Sequence, residues 1–95
     1  MNKYYPVFLD LRDRKCVVIG GGEIAERKIE QLLASDGDVT VVSPESTPAV
    51  ENWAESKRVF WLKRAYQKGD LKGSFLAIAA TDDSEVNVQV RAEAE

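Results

Sequence analysis

The stretch "CVVIGGGEIAERK" (residues 16–28) joins a β-branched apolar run to three glycines and then to a charged, helix-forming segment. An apolar run without alternation is typical of a strand buried on both faces. The charges of "ERKIE" (26–30) are interpreted as a solvated helix face. The apolar residues of the segment share one helical stripe: Ile24, Ala25, Ile29, Leu32 and Leu33. The stretch therefore predicts a strand, a tight turn and a helix, with Gly37 as the stop of the helix.

Strands alternate with helices along the whole chain, which favours a parallel sheet covered by helices. After a first strand at residues 15–19, further short apolar runs predict strands at residues 39–43, 59–62 and 74–80. Right-handed crossovers place these strands in the spatial order 3-2-1-4. We therefore predict an α/β fold, a Rossmann-like doubly wound parallel sheet with helices on both faces, in one domain spanning residues 1–95.

Two further helices are predicted from their capping residues. Thr47 and Pro48 suit the N-cap and the first position of a helix over residues 47–57. Asp82 or Ser84 is the expected N-cap of the last helix. The chain ends inside that helix, before any fifth strand, and we therefore expect it to be an incomplete part of a larger protein.

The glycine turn matches the dinucleotide-binding pattern G-x-G-x-x-A in its required context between a strand and a helix. Gly20 permits the tight turn, Gly22 lets a pyrophosphate approach the backbone, and Ala25 allows close packing of the helix. The pattern does not require Gly21, which is interpreted as widening the loop. The helix N-terminus would face the phosphates. The alternative is a tight turn without a ligand.

The end of the second strand lacks the acidic residue that usually holds the ribose hydroxyls. Ser43 stands there instead, and its hydroxyl could bond a ribose oxygen while Pro44 and Glu45 line the adenosine side. No arginine lies nearby to bind a 2′-phosphate, and Glu45 would repel one, which favours NAD over NADP. The alternative for Ser43 and Pro44 is an ordinary turn at the end of a strand.

The segment after the fourth strand borders the position at which the strand order reverses, where ligands bind in this topology. Thr81 and Asp82 are therefore predicted to face the nicotinamide half of the cofactor. The alternative is that both serve only as helix caps. Cys16 lies within a predicted buried strand, and we interpret it as a core residue.

Composition limits the class of protein. The chain of 95 residues has a formal net charge of −3, whereas nucleic-acid binders show a basic patch. No apolar run reaches the ~18 residues of a membrane span, so neither nucleic acid nor membrane is an expected partner. The single cysteine cannot form an internal disulfide, which favours a reducing compartment such as the cytoplasm. The chain has no histidine, and we expect no metal site.

Three stretches resemble the N-terminal NAD-binding domain of the siroheme synthase and precorrin-2 dehydrogenase family, namely residues 8–33, 39–45 and 70–87. The triple glycine followed by "EIAERK" (23–28), with "AATDD" (79–83) farther along, is more specific than G-x-G-x-x-A alone. The missing acid after the second strand also fits this family.

The resemblance implies that NAD is the cofactor and that precorrin-2, a tetrapyrrole, is oxidised to sirohydrochlorin in siroheme biosynthesis. Bifunctional members also insert ferrous iron. The family's NAD contacts fall on Gly22, Glu23 and Ile24 at the turn and on Ser43, Pro44 and Glu45 after the second strand. The family's catalytic aspartate follows a fifth strand, beyond Glu95, so no catalytic residue is assigned within the chain.

The resemblance also implies a homodimer, with the dimerisation region and a helical domain outside these residues. Two other functions stay open. The first is a regulatory nucleotide-sensing module of a transport system, and the second is a methyltransferase-like domain that binds S-adenosylmethionine. Both usually carry the acid after the second strand, which this sequence lacks.

Overall fold

Four parallel strands form one sheet in the order β3-β2-β1-β4, as the sequence predicts. The computed structural model describes residues 8–94. Its elements, in chain order, are β1 (Lys15–Ile19), α1 (Glu23–Ala34), β2 (Asp38–Val42), α2 (Pro48–Glu55), β3 (Val59–Leu62), β4 (Leu76–Ala79) and α3 (Ser84–Ala94). None of the helices within residues 8–94 has both the length and the apolar character needed to cross a bilayer.

Strand β1 is buried on both faces because helices cover the sheet from both sides. Cys16 and Val18 belong to a cluster with the apolar residues of α1 and α2. Val17 and Ile19 point the other way and pack with Val90 of α3. The Cys16 side chain lies in the core, as predicted, and burial raises the pKa of its thiol. This double burial accounts for the apolar run without alternation.

Helix α1 ends earlier than the sequence predicts, and Gly37 is not its left-handed stop. Asp36 takes that conformation, with φ 59°, after the last helical residue, Ala34. The Asp36 and Gly37 amides donate to the carbonyls of Leu33 and Leu32 at 3.0 and 2.9 Å. These two bonds form a Schellman motif, in which an aspartate replaces the more usual glycine.

The N-cap of α3 is Asp83, and not Asp82 or Ser84 as predicted. Its carboxylate accepts hydrogen bonds from the amides of Glu85, at 2.9 Å, and Val86, at 3.3 Å. A cap accepts from the second and third helical residues, which for a helix that begins at Ser84 are these two. At the other helix, Thr47 caps α2 as predicted.

The last turn of α3 is fixed to the connection between β3 and β4. The Glu93 carboxylate accepts hydrogen bonds from the Tyr66 hydroxyl and from the Leu71 amide, the latter at 3.0 Å. The bond from Tyr66 lowers the pKa of Glu93, while burial and the same bond raise the pKa of Tyr66 to about 12. These contacts hold α3 over the sheet face that carries Val17 and Ile19.

Candidate functional site

A cleft of about 730 Å³ lies at the carboxyl ends of β1, β2 and β4. Its size falls within the usual range for small-molecule sites. Three segments line it: the glycine turn with the start of α1 (residues 20–24), the β2–α2 loop (residues 43–47) and the segment after β4 (residues 80–82). The structure thus brings together all nine predicted site residues, Gly20, Gly22, Glu23, Ile24, Ser43, Pro44, Glu45, Thr81 and Asp82.

Gly20 makes the tight turn that the sequence predicts. Its φ of +128° lies in a region that residues with a side chain rarely adopt. A Cβ at this position would lie 2.3 Å from the Ala80 carbonyl oxygen. The turn at the end of β1 therefore lies directly against the residue that follows β4. This close approach requires glycine at position 20.

Gly21 has a different role from the predicted widening of the loop. A Cβ at Gly21 would lie 2.1 Å from the carbonyl oxygen of Glu45 and 2.8 Å from Oγ of Ser43. The Gly21 carbonyl also accepts a hydrogen bond from the Thr47 amide at 2.9 Å. Because Gly21 has no side chain, the β2–α2 loop can lie directly against the turn. The cleft is narrower on this side as a result.

Gly22 is exposed and borders open space. A Cβ built on Gly22 meets no described atom within 4 Å. Packing against residues 8–94 therefore does not require glycine at this position. Gly22 is also the N-cap of α1, where first-turn amides are available to an anion. Open backbone at a helix N-terminus fits the pyrophosphate of a dinucleotide.

The β2–α2 loop is held by its own side chains. The Ser43 hydroxyl donates to the carbonyl of Glu45, and the Ser43 carbonyl accepts from Nε1 of Trp61 at 2.9 Å. Only 7% of Ser43 is exposed, whereas Pro44 and Glu45 are exposed. The Ser43 hydroxyl can therefore accept a bond from a ribose hydroxyl while its own proton stays within the loop.

The segment after β4 completes the third wall. The Thr81 hydroxyl accepts a hydrogen bond from the Asp83 amide at 2.7 Å, and the Asp82 side chain is exposed. Thr81 is therefore not the helix cap that the sequence left open, since Asp83 is the cap, but it forms the preceding turn and also lines the cleft. Its predicted contact with a nicotinamide ring stays a prediction.

Four cleft residues escaped prediction as site residues: Gly21, Ser46, Thr47 and Ala80. Thr47 is recognisable as an N-cap, but a cap carries no information about which loops meet. Conversely, Ile24 is 59% exposed and lies outside the buried stripe predicted for α1. It is the second residue of the helix, at the mouth of the cleft, where the turn carries it away from the sheet.

A family model described as "Putative NAD(P)-binding" matches residues 7–95. The chain belongs to this NAD(P)-binding family. Its fold is also that of SirC, a precorrin-2 dehydrogenase of solved structure, with a TM-score of 0.88 and 33% identity over 93% of this chain and 44% of that one. The predicted family resemblance, the Rossmann-like fold and a nicotinamide dinucleotide as cofactor are thereby confirmed.

The sequence relatives of this NAD(P)-binding domain carry related names. The siroheme synthase of Methylobacillus flagellatus is 47% identical over 95% of this chain, which corresponds to 19% of that protein. The precorrin-2 dehydrogenase of Bacillus subtilis is 38% identical over 90% of this chain and 52% of its own length. The chain thus spans about a fifth of the first relative and about half of the second.

The middle and last glycines of the "GGG" turn, Gly21 and Gly22, allow a direct test of the role of Gly21. We expect Gly21→Ala to lower the free energy of unfolding by about 1–3 kcal/mol or more, because its Cβ would overlap the Glu45 carbonyl. Gly22→Ala, the matched control, should cost no more than about 1 kcal/mol as a poorer N-cap. Urea unfolding of both variants measures the difference, and equal stabilities would show that the loop does not press on Gly21.

Proposed function

We propose that this chain is the NAD-binding part of a precorrin-2 dehydrogenase, which oxidises precorrin-2 to sirohydrochlorin in siroheme formation. The observation that carries the proposal is the cleft. Its three walls meet at the carboxyl edge of the sheet, in a chain that resembles proteins named for this reaction over 90% or more of its length. The activity belongs to the longer protein, of which these residues supply the cofactor site.

In this proposal, each of the three walls of the cleft binds one part of the cofactor. Gly22 and the N-terminus of α1 bind the pyrophosphate through backbone amides and the helix dipole. The β2–α2 loop binds the adenosine ribose, and Thr81 and Asp82 orient the nicotinamide half toward the substrate. When bound, the nicotinamide supplies the chemistry by accepting a hydride. The chain's own contribution is to hold the ring in a fixed position and to exclude other orientations.

The substrate must obtain its charged contacts from other residues. Precorrin-2 carries several carboxylates, while the exposed acids Glu23, Glu45 and Asp82 line the cleft. Of the described residues that line it, none is Lys or Arg. We therefore place the cationic contacts and the catalytic group in the rest of the longer protein, which we propose to be a homodimer.

The two alternative functions receive less support. A nucleotide-sensing module of a transport system and a domain for S-adenosylmethionine would both favour an acid at the end of β2, where Ser43 stands. The relatives described above are named as biosynthetic enzymes. Both observations favour the dehydrogenase.

Calorimetric titration of Gly22→Val tests the cofactor site. We expect the wild-type chain to bind NAD and the variant to lose detectable binding, because a branched side chain would occupy the position of the pyrophosphate. The fold should persist, since a Cβ at this position meets no described atom within 4 Å. S-adenosylmethionine serves as the comparison ligand. A folded Gly22→Val chain that binds NAD as well as the wild type would contradict the assignment, and so would a preference for S-adenosylmethionine.

The charge on the β2–α2 loop should set the choice between NAD and NADP. We expect NAD to bind more tightly, because the exposed Glu45 repels a 2′-phosphate and no cation lines this wall within the described residues. Glu45→Arg should narrow or reverse the preference by about 1–3 kcal/mol. The control is Glu51→Arg, which makes the same change of charge at an exposed position of α2. Equal affinity of the wild type for both cofactors would refute this explanation.

A chimaera tests the reaction itself. The chain would replace the matching half of the Bacillus subtilis precorrin-2 dehydrogenase, and sirohydrochlorin would be followed by its absorbance. We expect NAD-dependent turnover that Gly22→Val abolishes, and no turnover by residues 1–95 alone. A chimaera that binds NAD but leaves precorrin-2 unchanged would argue against this function, and turnover by the isolated chain would place the catalytic group within it.

A further inference from the structure

Glu26 connects α1 to the β2–α2 loop. The Thr47 hydroxyl donates to a carboxylate oxygen of Glu26 at 2.6 Å, a short distance that is typical of a charge-assisted bond. The same hydroxyl accepts from the Val50 amide at 3.3 Å and so also caps α2. Glu26 is half-buried and therefore differs from the solvated helix face predicted for "ERKIE". Its carboxylate links two helices through one hydroxyl.

The β2–α2 loop is held at both ends. At its far end the Thr47 amide donates to the Gly21 carbonyl at 2.9 Å. At its near end the Ser43 carbonyl accepts from Trp61. The residues between these anchors, Pro44, Glu45 and Ser46, line the cleft. The side-chain bond from Glu26 adds to the Thr47 anchor from the direction of α1.

Two of the three walls of the cleft are therefore connected through α1. The start of α1 lines the cleft at Glu23 and Ile24, and Glu26 follows within the same turn. Glu26 itself does not line the cleft among the described residues, and its hydrogen bond to Thr47 connects it to a residue that does. This side-chain bond and the backbone bond from Thr47 to Gly21 both join the glycine turn and α1 to the β2–α2 loop.

We infer that Glu26 is a positioning residue for the cofactor, which holds Thr47 and the β2–α2 loop at the separation that one dinucleotide requires. The inference rests on the proposed NAD site. A loop without this bond must be ordered when the ligand binds, which opposes binding by its conformational entropy. The effect should appear for any ligand that carries the adenosine half, including AMP.

Affinities for NAD and AMP, measured by calorimetry, test the inference. Glu26→Ala should weaken both by about tenfold, as expected for the loss of one charge-assisted hydrogen bond. Thr47→Ser keeps the hydroxyl and should stay within about twofold of the wild type, whereas Thr47→Val should match Glu26→Ala. Thr47→Val also removes the cap of α2, so the decisive comparison is the double variant: adding Glu26→Ala to Thr47→Val should cause no further loss. Glu30→Ala, which removes an exposed charge from the same helix, is the control and should leave both affinities unchanged.

The outcomes separate the two proposals. Wild-type chain that binds neither NAD nor AMP would overturn the proposed function. Wild-type chain that binds both, with Glu26→Ala unchanged or with additive losses in the double variant, would overturn only the role of Glu26. If Glu26→Ala does not fold, Glu26→Met decides, because methionine keeps most of the side-chain length and lacks an oxygen acceptor for the Thr47 hydroxyl. Weaker binding of both ligands then supports the inference, and unchanged AMP binding overturns it.

Discussion

Close contact between the backbone of the glycine turn and two neighbouring segments shapes the whole site. Gly20 lies against the Ala80 carbonyl, and Gly21 lies against the Glu45 carbonyl, at separations that leave no space for a Cβ. These contacts bring the ends of β4 and β2 to the end of β1. Gly22, in contrast, faces open space. Two of the three consecutive glycines therefore satisfy packing constraints, and the third is open to the proposed ligand.

The sheet supports this arrangement because it is buried from both sides. Parallel strands need helical crossovers, and these cover both faces of β1 while leaving the carboxyl ends of the strands accessible. The loops at that edge are free to differ in sequence, and here they are polar and acidic. The charge distribution is consistent with the proposed site, in which backbone amides would contact the phosphates and residues outside this chain would bind the carboxylates of the proposed substrate.

The end of β2 has Ser43 and a set of internal hydrogen bonds at the position where an acidic residue usually binds the ribose. Three hydrogen bonds fix the β2–α2 loop: the Ser43 hydroxyl donates to the Glu45 carbonyl, Trp61 donates to the Ser43 carbonyl, and the Thr47 hydroxyl donates to Glu26. An acid at the end of β2 would contact the ribose directly, whereas this loop depends on its position to present backbone and hydroxyl groups. Preorganisation of this kind lowers the entropy lost on binding.

The sequence by itself determined the strand order and the positions of most elements, because hydrophobic periodicity, capping residues and the glycine pattern are local features. Seven of the nine predicted cleft residues followed from the glycine pattern and the expected topology, whereas Glu23 and Ile24 followed from the family resemblance. Only the tertiary structure decided the roles of Gly21 and Glu26. Both depend on contacts with a loop about twenty residues away in the chain, and no local pattern encodes such a distance. The helix ends at Asp36 and Asp83 also differed from prediction, because several neighbouring residues there have similar capping propensity and the backbone geometry selects one.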